Sequence, residues 1–353
     1  MSYHCPEIDE ALMLETLRSV VSVPSPTGFT EAAAALVSEI AGSLGFKAET
    51  ESNGNVVVTV PGREDGPCTA VAAHIDTLGL MVRSVNADGT LNFSGIGGNI
   101  FPTLDGEYCT IHASSGREYT GTILSKSPSL HVYADARSAE RTESTMMIRV
   151  DEPVSCREDT EALGIETGDF ISVEPKFCVT SSGYVKSRYL DDKSGVSILL
   201  TVLRTLSKES AVPPRTVRFI FSAHEEVGYG CAYLPGDTSV MIGVDMGCVG
   251  DDLACTERDV SLCVKDSSGP YNTRLVRELA AIARENGISC KKDVYPNYAS
   301  DISAALRGGN NIAGALIGPG VSASHGMERT HVDALKAAVQ LIYLYIMWEK
   351  QEG

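Results

Sequence analysis

The sequence predicts an α/β fold: one α/β domain assembled from two separated stretches of chain, with a small all-β module inserted between them. Three observations carry this expectation. Helical-period apolar residues alternate with short strand-like apolar runs over the first 75 residues, and the same alternation returns after Asp191. From about Gly79 to Ser181 the texture changes to short β-type runs broken by Gly, Asn and Asp, as in GIGGNIFPTLDGEYCTIHASSGREYTGTI. A chain of 353 residues with 43% hydrophobic content is also long enough to give both parts a core. The expected boundaries are residues 1–75 and 182–353 for the α/β domain and 76–181 for the insert.

In chain order, Leu14, Leu17, Val20 and Val21 fall at helical spacing, as do Ala33, Leu36, Val37, Ile40 and Leu44. Pro24, Pro26 and Gly28 break the pattern between them. Strand-like runs follow at residues 55–60 and 69–73, the second leading straight into His74. After the insert, residues 196–206 read as a helix, 217–222 as a strand, 240–244 as a strand ending at Asp245, and 275–282 and 334–345 as helices.

A formal net charge of -17 argues against nucleic acid or an anionic membrane as partner, because either would repel so acidic a surface. The N-terminal segment MSYHCPEIDEALMLETL is acidic and amphipathic, without an export signal, and no run is apolar enough to span a bilayer. Ten cysteines are scattered with no Cys-x-x-Cys pair, which suits free thiols in a reducing, cytoplasmic setting.

The chemistry gathers at the ends of the strand-like runs. His74 and Asp76 form a His-x-Asp: a neutral imidazole ligates zinc-like metals, and a carboxylate bonded to its other nitrogen orients the ring. Asp191 and Asp192 stand before a helix, where they either favour its positive end or hold cations, one carboxylate bridging two ions about 3.5 to 4 Å apart. Glu225 and Glu226 follow the strand VRFIFS, and a turning backbone would let one bind metal while the other faces water as a general base. Asp245 ends a strand, and His325 or His331 in SASHGMERTH is a further ligand candidate. Each pattern taken singly also suits a turn or a solvated surface. Together they indicate a two-metal hydrolase.

The chain resembles the tetrahedral (TET), glutamyl and deblocking aminopeptidase family, which includes members once labelled cellulases. The likeness runs through PSPTGFTEAAAALVSEI, GNVVV, AHIDTLGLMV, GIGGNIFPTLDG, GIETGDFISVEPKF, LDDKSG, EEVGYG and GVDMG, in order. The resemblance implies a central mixed sheet flanked by helices, zinc-exopeptidase-like, carrying a small barrel-like β insert that takes part in assembly, usually into a dodecamer. It implies two divalent cations per subunit, zinc or cobalt before manganese. His74, Asp191 and Asp245 would hold one; Asp191, Glu226 and His325 would hold the other, with Asp191 bridging. Glu225 would be the general base that takes a proton from the attacking water, and Asp76 would orient His74. The implied activity is removal of the N-terminal residue from peptide substrates.

The chain departs from the family pattern in three places. Thr77 stands where Glu is usual, His224 where Gln is frequent, and Ser322 to Gly326 replace an Arg-Tyr-x-His-Ser run. His325 sits at the matching offset before the terminal helix, with His331 the alternative. The departures leave a related deacylase or amidohydrolase, with the same metal ligands and a different pocket, as the second reading, and a non-catalytic scaffold as the third. Side-chain preference depends on residues distant in sequence.

Overall fold

The computed structural model describes residues 4–348, so the first three residues of the acidic N-terminal segment and the last five of the chain lie outside the described residues. Within them a ten-stranded mixed sheet forms the centre. Its main path runs Ala48–Thr50, Val56–Val60, Val217–Ser222, Cys68–His74, Thr238–Val244, Ala313–Val321, Val260–Asp266 and Gly269–Pro270. Gly247–Cys248 pairs with Ala313–Val321, and Cys290–Val294 with Val260–Asp266.

The four inner strands Val217–Ser222, Cys68–His74, Thr238–Val244 and Ala313–Val321 are parallel to one another. Their near-continuous apolar runs reflect burial on both faces, the usual condition of parallel strands. Register aligns their ends: Ser222 lies opposite His74 and Val244 opposite Ile317, so the four carboxyl ends open on one edge.

Helix Leu190–Glu209 packs on the Cys68–His74 strand and against helices Glu10–Ser22 and Val332–Met347. It is buried around most of its circumference, as a helix sandwiched between sheet and other helices must be. The helix expected at residues 196–206 therefore begins earlier, with an irregular first turn. Asp191 is extended (φ -82°, ψ 102°), and regular helix is established only after Asp192, whose Oδ1 accepts the N–H of Gly195 at 2.9 Å.

The insert is a closed six-stranded antiparallel barrel in the order Gly79–Val85, Leu91–Ile96, Met146–Val150, Glu118–Ser125, Tyr108–His112, Phe170–Val173. Alternate residues such as Leu80, Val82, Ile111, Ile123, Ile148 and Ile171 fill its interior and make a core separate from that of the main domain. The sequence texture showed little helical period here, and one short helix, Arg157–Ala162, is present. No helix among the described residues is long and apolar enough to cross a membrane.

Candidate metal centre

The inner strands deliver most of the site. His74 is the last residue of its strand, and Asp245 follows Val244 directly. Glu225 and Glu226 open a short 3-10 turn just past Ser222, and His325 lies in the loop after Val321. Asp191 enters from the lead-in to the long helix. This is the carboxyl edge of a parallel sheet, where open α/β folds have room for ligands because loops rather than side-chain layers cover it.

His74, Asp191 and Asp245 each offer a ligand atom, all within 4.8 Å of one another and all on buried residues. Asp191 presents its two oxygens to two histidines: Oδ1 lies 3.1 Å from His74 Nε2, and Oδ2 lies 3.5 Å from His325 Nε2. The same His325 nitrogen is 3.8 Å from Glu226 Oε2, while Glu225 Oε2 is 3.8 Å from His74 Nε2.

Both histidines are aimed through Nδ1. His74 donates to the carbonyl of Asp76 at 2.9 Å, and His325 donates to the carbonyl of Gly98 at 2.8 Å, which leaves each Nε2 to face the acids. The Asp76 carboxylate is 3.5 Å from His74 Nδ1, farther than its own carbonyl. Its hydrogen bonds come instead from the Thr27 hydroxyl and from the backbone N–H groups of Glu225 and Glu226. Asp192 spends its carboxylate on backbone groups, accepting the N–H of His74 and of Gly195. The two readings of the Asp-Asp pair thus divide between its members: Asp192 caps, and Asp191 faces the site.

Sequence reasoning missed Glu328. It is 2% exposed and accepts the backbone N–H of Asp191 and of His325, each at 3.0 Å, tying together two segments that carry candidate ligands. Its only signal was an acid three residues after a candidate histidine. His331 is engaged elsewhere, with Nε2 on the Ser182 carbonyl and Nδ1 accepting the Asp333 N–H that caps the last helix.

Burial beside like charges pushes the Glu225 carboxyl well above its ordinary range, Glu226 to about 8 and Asp245 to about 7. The hydrogen bond to Asp191, followed by the charges of Asp191 and Glu226, lifts His325 to about 10 against the opposing effect of burial. Burial disfavours the charged form of His74 too, yet Asp191 and Asp76 hold it well above its usual value. Buried acids that repel one another in this way are relieved by cations. Imidazole nitrogens with carboxylate oxygens form a donor set that zinc, cobalt and manganese accept, so the residues present fit a divalent metal site.

A model of the M42 glutamyl aminopeptidase family matches residues 54–341. The chain belongs to the M42 peptidase family. It is an aminopeptidase, a hydrolase of peptide bonds, and peptidases of this family depend on metal. The Bacillus subtilis protein named "Putative aminopeptidase YhfE" is 45% identical over 336 residues, covering 94% of this chain and 96% of its own. Lysyl aminopeptidase of Pyrococcus furiosus is 26% identical over 215 residues, 61% of this chain and 60% of its own. A solved structure described as "Pyrococcus horikoshii TET1 peptidase can assemble into a tetrahedron or a large octahedral shell" superposes with a TM-score of 0.84 at 22% identity, covering 95% of this chain and 99% of that one.

The cleft of this M42 peptidase has a volume of about 620 Å³ and runs from Asp191, Glu225 and Asp245 past Tyr298 to Ile100 and Arg307. Its wall therefore combines the main domain with the barrel loop that carries Gly98 and Ile100. A separate cavity of about 520 Å³ lies between residues 21–25 and the outer face of the barrel, and none of the candidate ligands lines it. Thr77 and His224, two departures from the family pattern, are turned to other tasks. The Thr77 hydroxyl donates to the Leu78 carbonyl, and the His224 ring stacks on Tyr229.

Proposed function

We propose that this aminopeptidase uses two divalent cations. His74, Asp191 and Asp245 would hold one, Asp191, Glu226 and His325 the other, and Glu225 would act as general base. The observation that carries the reading is the Asp191 carboxylate, which turns one oxygen to each histidine. A bridging carboxylate needs that division. When bound, such a pair supplies Lewis-acid chemistry, acidifying water and drawing charge from the scissile carbonyl.

The chain's own groups do the rest. Glu225 has no ligand role in this reading, and its Oε2 faces His74 Nε2 at the cleft. It takes a proton from the attacking water and returns it to the leaving amine, a task that suits a carboxyl whose affinity for protons burial has raised. Asp76 fixes the turn that carries Glu225, because its carboxylate accepts the N–H groups of both glutamates. Zinc or cobalt is favoured before manganese, on the imidazole and carboxylate donor set.

The reading extends to assembly and setting. One solved neighbour is described as a tetrahedron or octahedral shell and another as a dodecamer, which supports a homo-oligomer here, with a dodecamer as its form; the barrel, residues 76–181, is the domain to which this reading gives the assembly contacts. All ten cysteines are free thiols, which supports a cytoplasmic setting. The test is release of amino acids from short peptides, free and N-acetylated, by protein reconstituted with zinc, cobalt or manganese. Release confined to free N-termini is expected. Faster cleavage of acetylated substrates would move the function to a deacylase.

A further inference from the structure

We infer that the inserted barrel sets the affinity of one cation position: the carbonyl of Gly98 aims the His325 ring, so a domain that supplies no ligand controls the cation shared by His325 and Glu226. The inference rests on the two-cation reading above.

Gly98 lies between strand Leu91–Ile96 and the 3-10 turn Phe101–Leu104, both part of the insert. Its carbonyl accepts the Nδ1–H of His325 at 2.8 Å. An imidazole that donates through Nδ1 keeps its lone pair on Nε2, and Nε2 is the atom that faces Asp191 and Glu226. The two histidines differ in where this aim comes from. His74 is held by Asp76, two residues along its own chain, and its side chain is 1% exposed. His325 is held across the boundary between the domains, its side chain is 31% exposed, and its backbone sits in the left-handed region at φ 63°.

The loop is built to stay close. A Cβ at Gly98 would lie 3.1 Å from His325 Nδ1 and 3.2 Å from Cε1, so even a methyl group must push the ring. Retreat of the loop is resisted on both sides. The Asn99 amide donates to the carbonyls of Gly79 and Ile96, and Gly97, at φ 73°, leaves so little room that a Cβ there would meet Leu78 Cδ2 at 2.5 Å. A shift of the barrel therefore turns the His325 ring, while His74 and Asp245 keep their places on the main sheet.

The test is zinc binding to the full-length apoprotein by calorimetry, with bound metal counted after dialysis. Wild type is expected to take two equivalents. Gly98→Ala should keep the first with unchanged affinity and weaken the second about 10- to 100-fold, the range typical of groups that orient a ligand. His325→Ala, which removes the ligand outright, should weaken the same equivalent and more strongly. Asn99→Ala, which frees the loop but leaves the Gly98 backbone unaltered, should weaken the same equivalent less, and it keeps the question decidable if Gly98→Ala fails to fold. Two wild-type-like equivalents in the folded Gly98→Ala protein, or in Asn99→Ala should the first variant not fold, would overturn the inference and leave the two-cation reading standing. A single equivalent in wild type would overturn both.

Discussion

The carboxylate of Asp76 accepts the backbone N–H of Glu225 at 3.1 Å, and its second oxygen accepts that of Glu226 at 3.2 Å. A residue two positions beyond one candidate ligand thus holds the turn that carries the candidate base and another ligand. Asp76→Asn exchanges one accepting oxygen for an NH₂ group and leaves one buried N–H facing a donor. Turnover should fall about 10- to 100-fold, with the first equivalent of zinc still bound. Steady-state rates beside metal counts check this, and unchanged rates would show that the turn holds without Asp76.

Glu225→Gln keeps the shape of the side chain and removes its proton affinity. Metal content and melting temperature should match wild type while kcat drops about 100-fold or more, the lower bound for loss of a general base. Near-normal turnover would return the role of base to another group.

Asp191→Ala should remove both cations together, because one carboxylate faces both histidines. Dialysed protein is expected to retain less than one equivalent, and the thermal stabilisation that zinc gives wild type should vanish with it. Two tightly held ions in this variant would mean that Asp191 does not bridge.

Metal-free protein should lose stability as pH rises. Asp245 and Glu226 have folded values of about 7 and about 8, above the 3.8 and 4.5 of the free side chains, so the folded state holds more protons than the unfolded state between about pH 4.5 and 8. His325, raised to about 10, acts in the same direction: its contribution is complete below its ordinary 6.5 and fades as pH climbs. Asp191 is depressed, so its contribution is lost only in strong acid, below this window. The apoprotein should melt lower at pH 8 than at pH 6, and zinc should raise the melting temperature more at pH 8. Calorimetric scans of apoprotein and zinc-loaded protein at the two pH values test it; an apo melting temperature that rises with pH would contradict the assignment.

What the sequence by itself determined was local. Runs such as VRFIFS and CTAVAAH carry their strand character in composition, helical spacing marks Leu14 to Val21, and alternation with turn residues marks the barrel, because each signal depends on neighbours a few positions away. The candidate ligands stood out for the same reason, as acids and histidines in short motifs at strand ends. Tertiary structure decided how those motifs share the work. Asp191 and Asp192 are adjacent in sequence and alike in chemistry, and only the path of the chain into the long helix turns one toward two histidines and the other to Gly195. Glu328 and Gly98 gain their roles from contacts 137 and 227 residues away along the chain. A backbone carbonyl has no side-chain signature and a buried glutamate has no periodicity, so folding alone supplies the partners that give them a task.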